Sequence, residues 1–398
     1  MKYKLEDICL KITDGSHYSP KAVENGYPML SVKDMLEYGF SYDNCKRVGQ
    51  EDFTKLKNSG CIPETGDVLV AKDGSYLKEI FVCRKQREEA ILSSIAIFRP
   101  DTNKVSSDFL CYLLKSPKVY NYIKNNCVSG SALPRIVLKE FKTVEVDLPE
   151  VNDQRKIVSV LKRLDDKILL NTNINDNLSA QIETFLLAYL DSEGALPVKL
   201  GDYLYIKGRI GWKGLKKSEY LSQSEYRIIN GETLTQSGID WNKAGYISEE
   251  RYIESPEIML KVGDILLSKD GTIGKIGYVD SLELPTSVAS GIFVIRNTKP
   301  DIISTTFIYY LLKSRLFTSF IAARTEGSVI PHLYQKDFME FEFPLPTAEK
   351  MAEFEEVTEP MFLQIVNNLN ENKRLAILRD SLLPKLMSGE LDVSGLDL

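Results

Sequence analysis

Two stretches of this chain are near copies of one another. Residues 66–74 read GDVLVAKDG and residues 263–271 read GDILLSKDG, an offset of 197 in a chain of 398 residues. Other pairs keep the same order near that offset. Phe109–Ser116 (FLCYLLKS) answers Phe307–Ser314 (FIYYLLKS), and KLEDI at Lys4–Ile8 answers KLGDY at Lys199–Tyr203. Gly130, Ser131, Pro134 and Phe141 answer Gly327, Ser328, Pro331 and Phe338, and DLPE answers PLPT. Ordered matches at a nearly constant offset mark the duplication of one large unit, not a short solenoid period.

Each copy divides into a globule and a helix, over residues 1–150, 151–197, 198–346 and 347–398. The globules mix short β-rich runs such as DVLVA and AIFRP with Gly and Asp turns. Each also holds one helical stretch. In the first copy Phe109, Tyr112, Leu113, Tyr120 and Ile123 share its apolar face. The expected fold class is therefore α/β (α+β): duplicated globules of mixed helix and sheet, separated by two long antiparallel coiled-coil helices with pseudo-two-fold symmetry.

The helices read as heptad seams. Apolar residues at Ile157, Leu161, Leu164, Ile168, Leu178, Ile182, Phe185 and Tyr189 keep a 4-3-4-3 spacing once Asn171 and Asn175 fill the gap. Shifting by 197 gives Phe354, Thr358, Met361, Ile365, Asn368, Asn372, Leu375, Arg379, Leu382 and Leu386. Polar seam residues cost stability and fix register. The returning asparagines thus predict that the two helices pair with each other; packing of each helix on its own globule is the alternative. Pro360 sits in a first turn or at a kink, and Pro384 with Gly389 ends the second helix. About 33 helical residues would span ~50 Å. A spacer of that length with a head at each end suits duplex DNA, whose helical repeat is ~34 Å.

Composition limits the chemistry. A hydrophobic fraction of 43% excludes wholesale disorder. No apolar run approaches the ~18–20 residues of a membrane helix, and MKYKLEDICL is too polar for a signal peptide, so a cytoplasmic location is expected. The two histidines, His17 and His332, leave no histidine cluster for a catalytic metal. The six cysteines form no CxxC pair and are expected to be buried thiols. GTIGKI at 271–276 lacks the spacing of a phosphate-binding loop. GDVLVAK and GDILLSK offer an acid and a lysine but read better as hairpins closed by a Lys-Asp-Gly turn.

Several runs resemble a known family. DQRKIVSVLKRLDDKILLNTNINDNLSAQIETFLLAYL at 153–190 is similar to the central conserved region of type I restriction-modification specificity subunits, and LRDSLLPKLMSGELDV at 378–393 resembles their distal conserved region. GSALPRI at 130–136 and the opening KLEDICLKITDGSH fit the exit and start of a target-recognition domain. The resemblance covers essentially the whole chain. It implies a DNA-reading subunit without catalytic or metal site, holding two target-recognition domains that read a bipartite site on double-stranded DNA. It implies docking of two modification subunits that methylate adenine at N6 and, where the system has them, two restriction subunits acting as translocase and nuclease. The chain itself would hold no cofactor, and S-adenosylmethionine, ATP and Mg2+ would sit on those partners. A self-contained restriction or modification enzyme, and a coiled-coil scaffold without DNA reading, are the alternatives.

Candidate DNA-binding residues follow from side-chain chemistry. Arg and Lys meet phosphate or guanine, and aromatics stack or wedge. In the second head YIKGRIGWKGLKK at 205–217 offers Lys207, Arg209, Trp212, Lys213, Lys216 and Lys217 with no acid. In the first head the matching segment offers Ser16, His17 and Tyr18 beside Asp14. The Lys-Asp-Gly turns would carry Lys72, Ser75 and Tyr76, and Lys269 and Thr272, at hairpin tips. Arg135 and His332 lie between globule helix and spacer helix. The net charge of −6 does not oppose DNA. Residues 1–150 hold 22 basic and 21 acidic groups, and 198–346 hold 18 of each. The deficit lies in the helical segments, with 5 basic against 7 acidic in 151–197 and 5 against 10 in 347–398.

Overall fold

The computed structural model describes residues 2–130, 134–210, 214–235, 238–325 and 332–395. It divides into two compact units, residues 1–171 with 371–398, and residues 172–370. Each unit holds one globule and parts of both long helices, Val151–Leu190 and Ala348–Ser388.

The repeated GD(V/I)L motif builds the main sheet of each unit. In the first unit the strand order is Cys9–Asp14, Ile95–Pro100, Val68–Ala71, Ile80–Val82, all antiparallel. In the second it is Leu204–Gly208, Ile292–Asn297, Ile265–Ser268, Ile276–Tyr278, again antiparallel. A three-stranded sheet flanks each, from Tyr27–Leu30, Lys46–Val48 and Ala90–Ile91, or from Tyr226–Ile229, Gly245–Ile247 and Thr286–Val288. Valine and isoleucine dominate the inner strands because those strands are buried on both faces.

The motif's acid is a structural anchor. Asp67 is buried and takes Arg99 Nε and Nη2 at 2.8 and 2.9 Å, with the Glu64 amide at 2.8 Å. Asp264 takes Arg296 at 2.6 and 2.7 Å and the Lys261 amide at 2.7 Å. A two-pronged ion pair thus joins the start of the hairpin strand to its neighbour in both units. At the other end Gly74 and Gly271 supply φ +66° and +65°. Later in the turn Leu77 adopts φ +58° where its counterpart Gly274 has +92°. The left-handed backbone costs Leu77 about 1 kcal/mol, and its burial against the first unit's core offsets this.

The single globule helix expected from the sequence is two helices. Ser107–Lys115 and Pro117–Asn126 break at Ser116, and Thr305–Lys313 and Arg315–Thr325 break at Ser314. The serines leave helical geometry at ψ 139° and 160°, and their hydroxyls bond back to Leu113 and Leu311. Proline follows in the first copy only, so the serine is the shared cause.

Within each unit the long helices run antiparallel. In the first, Asn171 Nδ2 donates to Glu371 at 2.7 Å and to Asn372 Oδ1 at 2.9 Å. In the second, Asn368 Nδ2 donates to Asn175 Oδ1 at 2.8 Å. The helices span 40 and 41 residues, or ~60 Å each, longer than expected. Helix continues through Pro360 and Pro384, so Pro384 does not end it; Gly389, at φ +77°, follows its last residue. The helix pair packs into both cores. Ile157, Leu161, Leu383 and Leu386 join Phe98 and Phe109 in the first unit, and Ile182, Leu186, Phe354 and Phe362 join Phe293 and Phe307 in the second.

The buried residues depart from the heptad reading at several positions: Leu186, Leu190, Phe362 and Leu383 are buried where the spacing points to Phe185, Tyr189, Met361 and Leu382, and one further departure places a charge in the seam. Asp165, not Leu164, is buried. Its carboxylate accepts from Tyr112 at 2.6 Å, Tyr38 at 2.9 Å and Arg379 at 2.8 Å. Burial, with the nearby carboxylates, pushes both tyrosine hydroxyls far above their ordinary pKa, so they remain donors. In the second unit the counterparts are apolar, Phe362 for Asp165 and Ile182 for Arg379.

Asp67→Ala should lower the unfolding free energy by roughly 3 kcal/mol, because it takes the two-pronged buried partner from a half-buried guanidinium and leaves Arg99 only Glu64. Urea denaturation of the full chain measures this, and a curve matching the parent would remove the ion pair from this role.

Candidate nucleic-acid interface

Three chain segments converge at one end of the main sheet in each unit. They are the end of the edge strand, the Lys-Asp-Gly turn, and the segment that follows the globule helices. In the first unit the Ile136 amide donates to Lys72 O and the Gly74 amide to Pro134 O, both at 2.9 Å. In the second the Leu333 amide donates to Lys269 O at 2.9 Å, and Asp270 bridges His332 through the backbone. The frame is the same. The side chains on it are not.

In the first unit Lys72 is buried, and its Nζ lies 3.1 Å from Asp14 Oδ2 and 3.5 Å from Asp73 Oδ1. His17 is exposed and lies 3.4 Å from the same Asp14 oxygen. Ser16 is buried and turns the chain by bonding Tyr18 at both its amide and its carbonyl. Tyr18, Ser75 and Arg135 are exposed, while Tyr76 packs partly against the core. The accessible groups are thus His17, Tyr18, Ser75 and Arg135 around a charge-balanced Asp14–Lys72 pair.

In the second unit Lys207 is exposed on its strand, with Nζ 6.0 Å from the Tyr205 ring centroid. Lys269 is half-buried, and its Nζ stands 5.2 Å above the Phe293 ring. His332 Nδ1 pairs with Asp270 and meets Tyr334 edge-on. Thr272 is exposed, with its carbonyl held by the Ser268 hydroxyl at 2.7 Å. Lys216 and Lys217 are exposed on a short turn whose first amide Glu219 holds at 2.7 Å.

Two expected contacts are internal. Lys72 is spent on Asp14, and Arg209 is 2% exposed. Arg209 donates to Val288 O at 3.1 Å and to the Ser287 and Ser255 hydroxyls at 3.3 and 3.4 Å. Burial lowers its pKa, and the nearby Arg251 adds to this. The run 205–217 is therefore not one basic loop: Leu204–Gly208 is strand and Arg209 is core. Trp212 and Lys213 lie outside the described residues, as do Ser131, Gly327, Ser328 and Pro331. Sequence reasoning missed Asp73, Asp270 and Tyr334 as members of these faces. The two acids were legible in the Lys-Asp-Gly motif but were absorbed by its turn.

Among the described residues no group of three or more His, Cys, Asp or Glu is placed to hold a metal ion. All six cysteines are free thiols, with Cys9 and Cys45 only half-buried and the other four buried. No described helix is long and apolar enough to cross a membrane. What the two faces offer is a set of hydrogen-bond donors and cations on a rigid sheet end, suited to phosphate oxygens and base edges.

Arg209→Ala should cost about 2–3 kcal/mol, since it leaves buried acceptors on Val288, Ser287 and Ser255 without their charged donor. Thermal and urea unfolding measure the loss, and an unaltered midpoint would show that these bonds do not stabilise the fold.

The sequence profile of the type I restriction modification DNA specificity domain matches this chain twice, over residues 1–180 and 196–375. The MjaVIII specificity subunit of a type I restriction enzyme from Methanocaldococcus jannaschii is 23% identical, with 95% of this chain and 92% of that one covered. The HindI specificity subunit from Haemophilus influenzae is also 23% identical, over 98% of this chain and 99% of that one. Among solved structures, the type I restriction-modification S subunit from M. genitalium superposes with a TM-score of 0.57 at 19% identity, covering 97% and 95% of the two chains.

Proposed function

This chain belongs to the type I restriction modification DNA specificity family, and from that membership we propose that it reads a bipartite DNA site through the two faces described above. It is a specificity subunit, a non-catalytic component of a type I restriction-modification system. The observation that carries the bipartite reading is the divergence of the faces on one shared frame. The Lys-Asp-Gly turn and the segment bonded to it recur in both units. The accessible residues are His17, Tyr18, Ser75 and Arg135 in one and Lys207, Lys269, Thr272 and His332 in the other. A common scaffold with different donors reads two different short sequences.

The long helices supply the second part of the proposal. Their accessible apolar residues, Leu169, Leu170, Ile377 and Leu378 in the first unit and Leu187, Leu363 and Leu369 in the second, are candidates for protein contact. The acidic balance of the helical segments suits protein partners better than phosphate. On this reading two modification subunits dock there and methylate adenine at N6. S-adenosylmethionine belongs to them, ATP and Mg2+ to the restriction subunits where present, and the complex works in the cytoplasm. A self-contained enzyme and a scaffold without DNA reading are both disfavoured by family membership.

Reconstitution tests the proposal. The purified chain alone should methylate nothing. With its modification subunits it should direct adenine methylation to one motif with two fixed segments around an unread gap. Both long helices pass through both units, so a heptad added to each helix should lengthen the gap by about three base pairs, since seven residues add ~10 Å. Both fixed segments should survive unchanged. Methylation by the chain alone, or a motif with one continuous segment, would contradict this reading.

A further inference from the structure

The two Lys-Asp-Gly lysines occupy one position in the frame, and strand register shows what surrounds each. Ile95 faces Ala71 and Ile292 faces Ser268, so the central strands align residue for residue. The next residue, Ala96, faces Asp14, and its counterpart Phe293 faces Gly208. Asp14 in the first unit therefore corresponds to Gly208 in the second. That exchange removes the carboxylate that neutralises Lys72. A Cβ placed on Gly208 would lie 3.4 Å from Lys269 Cε, so the missing side chain is the one that would have pointed at the lysine. Ala96 becomes Phe293, and the Lys269 ammonium rests on that ring instead of on an acid. Among the described residues no carboxylate lies within ion-pair distance of Lys269 Nζ. The neighbouring Asp270 is engaged with His332.

We infer that Lys269 contacts DNA as a cation in the second unit, whereas Lys72, its counterpart, serves only as an internal ion-pair partner. This rests on the DNA-reading function proposed above. An aromatic face holds an ammonium without cancelling its charge, so Lys269 is both positioned and available for a backbone phosphate. Lys72 has neither property, because Asp14 and Asp73 flank it and the protein covers it. The conserved-looking lysine of the duplicated motif has thus diverged in role through a change at another position. The first unit must draw its cationic contact from elsewhere on its face, and Arg135 is the exposed arginine there.

The test uses the full chain assembled with its modification subunits and titrated on a short duplex carrying the motif that the wild-type complex methylates. Each lost cation contact lowers the slope of log affinity against log salt by ~0.9. Lys269→Met should show that fall and weaken binding, and Lys269→Arg should keep the slope. Gly208→Asp, which gives Lys269 the partner that Lys72 has, should reproduce the fall with the lysine still present. Lys72→Met should lower the melting temperature and keep the slope. Should Lys269→Met fail to assemble, Gly208→Asp decides alone. An unchanged slope in Lys269→Met or Gly208→Asp, or an equal fall in Lys72→Met, overturns the inference. A wild-type complex with no preference for any duplex would defeat the DNA-reading proposal instead, and that shows before any variant is made.

Discussion

The buried aspartate–arginine pair at the root of each hairpin is the constraint on which the proposed recognition faces depend. Asp67 with Arg99, and Asp264 with Arg296, lock the first residue before the hairpin strand to the central strand of the sheet. Four residues of continuous burial then carry the chain to the Lys-Asp-Gly turn. The strand is thus fixed at its base and buried along its length up to the turn at its far end. The segment after the globule helices bonds to that turn through Lys72 O and Lys269 O. A recognition surface needs such rigidity, since misplacing a donor by an ångström loses a base contact.

Divergence after duplication then proceeds without disturbing the frame. Backbone hydrogen bonds and the ion pair define where the side chains stand, so substitutions at the tips change chemistry alone. The same freedom appears in the helix pair. Both units keep an asparagine contact between antiparallel helices. Among the described residues only the first unit places a buried carboxylate in the seam, with Arg379, Tyr38 and Tyr112 around it. A buried charge is tolerated there because every partner is present, and its loss would be costly. The second unit fills the equivalent place with Phe362 among Tyr278, Tyr309 and Tyr310.

Much of this was legible in the residues, for identifiable reasons. The duplicated GDVLVAKDG and GDILLSKDG carry strand, anchor and turn in nine contiguous residues, so local pattern sufficed. Heptad spacing revealed the helices and the asparagines. The choice between Leu164 and Asp165 was not legible, because the residues that solvate Asp165 come from positions 38, 112 and 379. Helix continuation through Pro384 was equally hidden, since packing of Leu383 and Leu386 into the first core outweighs one lost backbone bond. On the faces, local chemistry misjudged Arg209 and Lys72, whose burial is set by Ser255, Ser287 and Val288 in one case and by Asp14 in the other. A basic residue advertises its charge in the sequence. Whether that charge is free depends on partners far along the chain.

In the proposed function each unit presents its own face to its own part of one DNA site. Photo-crosslinking from the two hairpin tips tests it most directly. A photoreactive residue at Ser75 or at Thr272, both exposed, is placed in the full chain assembled with its modification subunits on its methylated motif. Ser75 should mark one fixed segment of the motif and Thr272 the other. Crosslinks from both positions to the same segment, or from neither to DNA, would contradict it.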